Sequence, residues 1–66
     1  MTFAEHLAFL REKREISQKD LANIIGISTH AYQRFEYAER EPRLSVLIAL
    51  ADFYDISLDE LVCRER

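Results

Sequence analysis

Four polar side chains between positions 29 and 34 carry groups that can hydrogen-bond to the edges of nucleic-acid bases. Arg34 can donate two hydrogen bonds to O6 and N7 of guanine, and the amide of Gln33 can pair with adenine. Thr29 offers a hydroxyl and a methyl group, while His30 can donate to an acceptor edge, more strongly when it is protonated. The same residue types also suit a solvent-exposed helix face. The secondary structure around them is therefore needed to choose between base recognition and simple solvent exposure.

The element that carries these four residues is predicted to be a helix over residues 29 to 37. Ser28 offers an N-cap directly before it. Tyr32 and Phe35 are spaced to face inward, and the four polar residues then point outward. We therefore predict a helix with a polar outer face, here called helix 3.

Two helices are predicted before helix 3. Thr2 and Glu5 form a capping box at the start of helix 1, which should span residues 3 to 14. Ser17 is the expected N-cap of a short helix 2, and Gly26 can adopt the positive φ that ends it. Helix 2, a short turn at the glycine and helix 3 together match the helix-turn-helix arrangement, in which the second helix lies in the DNA major groove.

Two further helices complete the predicted all-α, five-helix fold. Pro42 places residues 39 to 43 in a loop, and helix 4 should end near Asp55. Ser57 and Glu60 form a second capping box, which opens a short helix 5. The predicted inward face of helix 4 consists of Leu44, Leu47, Ile48 and Ala51.

Length and composition are those of one small globular domain covering residues 1 to 66. The chain is 48% hydrophobic and 32% charged, unlike a disordered tail. No apolar run approaches the roughly 20 residues that span a bilayer, and the N-terminus lacks a signal-peptide pattern. A cytoplasmic location without membrane partners is the expectation.

The chain offers little chemistry for an enzyme. Cys63 is the only cysteine, and together with His6 and His30 it gives no metal-ligand spacing. There is no phosphate-binding glycine loop and no plausible nucleophile triad, because three of the four serines fall at predicted N-caps. We expect neither catalytic activity nor a cofactor.

The formal net charge of -3 counts against nucleic-acid binding, since DNA-binding domains usually carry a basic surface. The charge is distributed unevenly along the chain. Residues 1 to 10 sum to -1, residues 11 to 43 to +1 and residues 44 to 66 to -3. The acidic excess therefore lies at the C-terminal end, which permits DNA binding without arguing for it.

Several motifs occur together in one order over nearly the whole chain. They are Ser17-Gln18-x-x-Leu21-Ala22, Gly26-Ile27-Ser28, Glu36, Pro42 and Ser57-Leu58-Asp59-Glu60-Leu61. In this combination the chain closely resembles the lambda-repressor/Cro-type helix-turn-helix family, also called XRE. The resemblance implies a five-helix DNA-binding domain that usually acts as a dimer on a pseudo-palindromic double-stranded operator.

The resemblance also implies roles for individual residues. The family positions that face base edges are matched by Thr29, His30, Gln33 and Arg34. Positions near the DNA backbone and its phosphates are matched by Gln18, Ser28, Tyr37, Arg40 and Arg43. Gln18 further matches a residue that supports the recognition helix. Arg11 and Glu36 match positions that often form an ion pair between helix 1 and the end of helix 3.

The chain departs from the family pattern at three positions where the family often has glycine. Glu15, Ala38 and Asp55 stand there instead. Either the loops differ, or these residues adopt left-handed conformations at a cost of about 1 kcal/mol each. Ala38 could also let helix 3 run further toward its loop.

A homodimer is predicted through the C-terminal half of the chain. Leu58, Leu61 and Val62 lie on a helix too short to bury all of its apolar surface alone. Two recognition helices of such a dimer would face successive major grooves about 34 Å apart.

Two functions stay open from the sequence. The first is a DNA-binding transcriptional regulator, a repressor or a controller protein. The second is a protein-interaction module with the same fold, such as an antitoxin, which the acidic net charge favours. It is also favoured by apolar residues where the family usually has polar ones, namely Phe9, Ile24, Val46 and Ala49. A positive surface along helix 3 would favour the first function, and a neutral or acidic one the second.

Overall fold

The computed structural model describes residues 1–63, and all regular secondary structure in that range is helical. The all-α, five-helix prediction is confirmed, with the ends of the first and third helices each one residue earlier than expected. The last three residues of the predicted single domain lie outside the described range. The helices are α1 Phe3–Lys13, α2 Gln18–Ile25, α3 Thr29–Glu36, α4 Leu44–Tyr54 and α5 Leu58–Leu61. None of them is long and apolar enough to cross a membrane.

Side-chain caps determine where four of these five helices begin. The hydroxyls of Thr2, Ser17, Ser28 and Ser57 each accept a hydrogen bond from the backbone N–H three residues later. Such a cap contributes typically about 1 kcal/mol. α4 differs, because its N-cap is Arg43 and no side chain caps it.

Every helix contributes one large, fully buried side chain to the core. These side chains are Leu7, Leu21, Tyr32, Leu50 and Leu61. The burial of Leu61 corrects its predicted place in a dimer interface. The four-residue α5 packs against α1 and α4, and its inward leucine is used by the core of its own chain. Leu58, 39% exposed, and the half-buried Val62 are still available to a partner.

The buried face of α4 is only partly the predicted one, since Ala51 is buried as expected and Leu47 packs against the core. Val46, Leu50, Ala51 and Tyr54 are buried, whereas Leu44 and Ile48 are 63% and 43% exposed. Val46 was expected among the unusual surface residues and instead packs in the core. The sequence of α4 is apolar on nearly all sides, so its periodicity does not define a single inward face.

Left-handed backbone occurs at the three positions where the family often has glycine. Glu15, Ala38 and Asp55 have φ values of 55°, 59° and 55°, and Cys63 adds a fourth at 61°. The loops therefore keep this geometry without glycine. Of the two alternatives for Ala38, the left-handed one is observed: α3 ends at Glu36, so Ala38 does not lengthen the helix.

Replacing Ala38 with glycine is expected to stabilise the domain. The left-handed conformation costs an L-residue about 1 to 2 kcal/mol, and the greater entropy loss of glycine offsets about half of this. We expect a gain of roughly 0.5 to 1 kcal/mol, measured by thermal melting. Ala49→Gly, inside the right-handed α4, is the matched control and should lower the melting temperature. A loss of stability in both variants would contradict the assigned strain.

Candidate nucleic-acid interface

A tight turn joins α2 to α3. Gly26 adopts φ 89°, and its backbone N–H donates to the carbonyl of Ala22, which ends α2. Ser28 then accepts a hydrogen bond from the backbone N–H of Ala31 and starts α3. The predicted backbone contact Ser28 thus acts in the free protein as a helix cap.

α3 buries one face and presents the other. Tyr32 and Phe35 are buried against the rest of the domain. The outward residues differ in exposure, since His30 is exposed whereas Thr29, Gln33 and Arg34 are half-buried. Tyr37, the C-cap of the helix, is 59% exposed. The four side chains with base-edge chemistry therefore remain on the surface side of the helix.

An ion pair joins α1 to the end of α3 at the positions the sequence analysis named. The guanidinium of Arg11 donates from Nε to Oε2 of Glu36 at 2.6 Å and from Nη2 to Oε1 at 3.1 Å. Its Nη1 donates to the carbonyl of Ile16 at 3.0 Å. The side chains of the two partners are only 15% and 4% exposed, so water screens the pair weakly.

The Glu36 carboxylate accepts hydrogen bonds from three side chains. Besides Arg11, the hydroxyl of Tyr32 and the amide Nε2 of Gln18 donate to it. Burial alone would raise the pKa of Glu36, but these hydrogen bonds outweigh burial and hold its pKa below the ordinary value. Burial and the neighbouring carboxylate raise the pKa of Tyr32, so its hydroxyl stays a donor. Glu36 therefore remains ionised, and the guanidinium of Arg11 balances its negative charge.

Gln18 and Gln33 connect this buried carboxylate to the surface of α3. Nε2 of Gln18 donates to Oε1 of Glu36 at 3.1 Å, and Nε2 of Gln33 donates to Oε1 of Gln18 at 3.1 Å. Gln18 supports α3 in this way, as its family position implies. The link between the two glutamines was missed in the sequence, because 15 residues and a turn separate them.

The Tyr32 hydroxyl was also missed, although the sequence carries a signal for it. Tyr32 was assigned only to the core, where phenylalanine or leucine would serve equally well. Its spacing of four residues from Glu36 places both side chains on one side of α3. A tyrosine at this distance from a glutamate indicates a hydrogen bond within the helix.

Three arginines line an open cleft beside α3, here called the arginine cleft. Arg34, Arg40 and Arg43 are among its lining residues, together with Glu41 and residues 25–27 of the turn. The backbone N–H groups of residues 39 and 40 donate to the carbonyl of Arg34, which ties the loop to the end of α3. One carboxylate against three guanidinium groups leaves the cleft with an excess of positive charge.

The start of α4 adds to this positive charge. Arg43 is its N-cap, no side chain caps its first turn, and Ser45 and Val46 from that turn also line the arginine cleft. The N-terminus of a helix carries partial positive charge on its free N–H groups and favours anions. The cleft is therefore suited chemically to a phosphate.

The helix-turn-helix family profile matches residues 7–61. The chain belongs to this helix-turn-helix family. Two curated relatives are the regulator AnsR of Bacillus subtilis and the cryptic phage CTXphi repressor RstR of Vibrio cholerae El Tor, 37% and 38% identical over 62 and 64 residues. These alignments cover 94% and 97% of this chain but only 53% and 57% of the relatives. The helix-turn-helix chain thus spans about half of their length.

Solved helix-turn-helix proteins share the whole fold. The P22 c2 repressor in complex with a synthetic operator superposes with a TM-score of 0.90 at 29% identity, covering 98% of both chains. A transcriptional regulator from Listeria innocua superposes with a TM-score of 0.93 at 28% identity, covering 98% of this chain and 61% of the other. The lambda-repressor-like assignment made from the sequence motifs is confirmed.

Proposed function

We propose that this chain binds double-stranded DNA sequence-specifically and regulates transcription, as a repressor or a controller protein. α3 lies in the major groove and its outward side chains face the base edges. Support comes from the P22 c2 repressor, whose structure is that of an operator complex and whose fold this chain shares over 98% of its length. We place the protein in the cytoplasm, and the proposal requires no cofactor, membrane or catalytic group.

The placement of charged side chains around α3 is the main structural support for this proposal. Glu36, the sole acid of α3, is turned inward and paired with Arg11. The outward side of α3 therefore carries Arg34 as its charged group, next to Arg40 and Arg43 in the arginine cleft. Despite the net charge of -3, three arginines and one glutamate, Glu41, line the cleft beside the recognition helix, and such a local excess of basic residues favours DNA binding.

Base contact and phosphate contact are assigned to different residues. The residues that face the bases are Thr29, His30, Gln33 and Arg34, and Arg34 is placed to donate two hydrogen bonds to a guanine. Positions in contact with the backbone are Gln18, Ser28, Tyr37, Arg40 and Arg43. The two loop arginines supply the salt-dependent part of the affinity, because neutralising phosphates releases counterions.

Selection of bound sequences from a random duplex pool tests this function. We expect a pseudo-palindromic consensus that binds the protein at least about 1,000-fold more tightly than a scrambled duplex. No enrichment, combined with capture of a protein partner, would instead support the antitoxin-like alternative. The exposed apolar side chains Phe9 and Ile24, 46% and 56% exposed, are the observation that favours that alternative.

We also propose that the chain acts as a homodimer, through exposed apolar side chains of α4 and α5. Leu44 and Ile48 lie four residues apart and share one side of α4, and Leu58 begins α5. With Leu61 in the core, these residues and Val62 replace the interface first predicted. A second copy placed there would pair two recognition helices on a pseudo-palindrome.

Ile48→Lys is expected to weaken self-association by roughly ten-fold or more, because it removes an apolar side chain that the proposed interface would bury and introduces a charge there. Sedimentation equilibrium, free and with operator, measures the effect. Ile24→Lys on α2 is the matched control, since it changes the same residue type at similar exposure. Equal effects of the two substitutions, or a monomeric parent on DNA, would contradict this interface.

A further inference from the structure

Ser45 is the one serine of the described residues 1–63 that caps no helix. The hydroxyls of the other three, Ser17, Ser28 and Ser57, each accept a hydrogen bond from a backbone N–H at the start of a helix. Ser45 lies in the first turn of α4, is exposed, and its hydroxyl forms no hydrogen bond with another described residue. The fold therefore makes no use of this hydroxyl.

The surroundings of Ser45 favour a phosphate group. Ser45 is among the residues that line the arginine cleft, together with Arg34, Arg40, Arg43 and Glu41. Three guanidinium groups against one carboxylate leave an excess of two positive charges there. A phosphoserine carries a charge of about -1.5 to -2 at neutral pH and three acceptor oxygens, which arginines bind strongly. One phosphate on Ser45 would thus nearly cancel the positive charge of the cleft.

Helix geometry directs such a phosphate toward the loop before α4. The Cα–Cβ bonds of a helix tilt toward its N-terminus, so the side chain of Ser45 leans toward residues 39–43. No side chain caps the first turn of α4, and negative charge is favourable beside the free N–H groups of a helix start. We expect the phosphate to accept hydrogen bonds from Arg40 and Arg43.

A modifying enzyme can reach this part of the chain. Residues 39–43 form a loop, and α4 is the one of the five described helices whose start lacks a side-chain cap. Such a cap contributes typically about 1 kcal/mol, so the first turn of α4 opens more readily than those of the other helices. Ser45 thus lies on an exposed segment that can adopt an extended conformation.

We propose that Ser45 is a phosphorylation site, and that its phosphate closes the arginine cleft to DNA. The proposal rests on the proposed function, because the phosphate occupies arginines that would otherwise bind the DNA backbone. In the modification, Oγ of Ser45 attacks the terminal phosphorus of a nucleoside triphosphate held by a protein kinase. The bond from that phosphorus to the bridging oxygen breaks, the nucleoside diphosphate leaves with the electron pair, and the hydroxyl proton passes to a base of the kinase.

The full chain synthesised with Ser45 phosphorylated tests the effect on DNA binding. Affinity for the selected operator should fall by roughly 100-fold or more, and the slope of log K against log salt by about two, because Arg40 and Arg43 no longer neutralise DNA phosphates. The chain phosphorylated at Ser57 is the matched control, since it carries the same charge outside the cleft and should lose less than about five-fold. Ser45→Ala should bind like the parent.

Three results would overturn the closing of the cleft. One is a loss of affinity no larger than that of the chain phosphorylated at Ser57. The second is an undiminished loss in the Arg40→Ala/Arg43→Ala double variant, which would show that the phosphate does not act through these arginines. The third is a phosphorylated chain that sediments as a monomer where the parent is a dimer, since Ser45 lies three residues from Ile48.

A measurement without DNA separates this proposal from the proposed function. In phosphorus NMR, the second pKa of the phosphate on Ser45 should be lower in the folded chain than in urea, because arginines favour the doubly charged form. Equal pKa values would disprove the contact while operator binding by the parent stands. Failure of the unmodified parent to distinguish operator from scrambled duplex would instead disprove the proposed function.

Labelling in a lysate of the cells that express the protein tests whether Ser45 accepts phosphate. The parent is incubated with a nucleoside triphosphate labelled at its terminal phosphate. Label should enter the parent and Ser57→Ala, and it should be lost in Ser45→Ala. Absence of label from the parent, or label that survives Ser45→Ala, would overturn the proposed modification.

Discussion

Replacing Glu36 with alanine is expected to lower the free energy of unfolding by about 3 kcal/mol, the largest effect on stability predicted for this chain. The substitution leaves the largely buried guanidinium of Arg11 without its partner and removes the acceptor used by Tyr32 and Gln18. For a domain of 66 residues this corresponds to a fall in melting temperature of roughly 12 to 24 °C.

Thermal and denaturant melts of the variant measure this effect. Glu36→Gln is the control, because its amide oxygen still accepts from Arg11 although the charge is lost, and its stability should be intermediate. An exposed acid such as Glu12 replaced with alanine should change the free energy of unfolding by no more than about 0.5 kcal/mol. A Glu36→Ala melt that coincides with that of the parent would exclude a structural role for the pair.

The same carboxylate makes the parent sensitive to acid. Its pKa is lowered by folding, so its contribution to stability is complete above the ordinary value of 4.5 and is lost as the pH falls through the folded-state pKa. The melting temperature of the parent should therefore fall more steeply than that of Glu36→Gln between about pH 5 and about pH 3. Parallel curves would show that Glu36 titrates normally.

Arg34→Ala is expected to have the largest effect on recognition. If Arg34 donates two hydrogen bonds to a guanine, its loss should raise the Kd for the operator by roughly 5- to 150-fold, equivalent to about 1 to 3 kcal/mol. The Kd for scrambled DNA should change little, and one operator position should become permissive.

Titrations of operator and scrambled duplex at several salt concentrations separate Arg34 from its neighbours in the arginine cleft. Arg40→Ala and Arg43→Ala should weaken both duplexes similarly and reduce the slope of log K against log salt by about one each. Arg34→Ala should change that slope less. Equal losses on both duplexes for Arg34→Ala would remove it from the base readers and leave Thr29, His30 and Gln33.

Local signals in the sequence predicted most of the fold. Thr2, Ser17, Ser28 and Ser57 were each expected to cap a helix, and each does so. A helix cap depends on residues within one turn of each other, so a short stretch of sequence is enough to predict it. The same holds for Gly26, whose positive φ follows from its lack of a side chain.

Features decided by packing between helices were predicted less well. The inward face of α4 was predicted only in part, because apolar residues surround that helix and only the neighbouring helices select Val46 over Ile48. Leu61 was predicted to lie in a dimer interface, because the sequence of the four-residue α5 does not show how deeply this helix packs into the fold. Whether Ala38 would be left-handed or would lengthen α3 stayed open in the sequence, since an alanine has no intrinsic preference for the left-handed conformation that it adopts here.

The candidate site shows the same division. The outward position of residues 29, 30, 33 and 34 follows from helical period once Tyr32 and Phe35 are assigned to the core. The Arg11–Glu36 pair came from the family pattern, because 25 residues separate its partners. The hydrogen bonds that link Gln33 through Gln18 to Glu36 required the relative placement of α2 and α3, which no local rule supplies.

The central claim is that α3 and the arginine cleft form the DNA-binding surface, and an NMR titration tests it most directly. Isotope-labelled protein is titrated with the selected operator, and the change of each backbone amide signal is measured. We predict the largest changes at Gln18, in residues 28 to 34 and at Arg40 and Arg43, with smaller ones on the outer side of α1. Largest changes around Phe9 or Ile24, with residues 28 to 34 unaffected, would contradict the account.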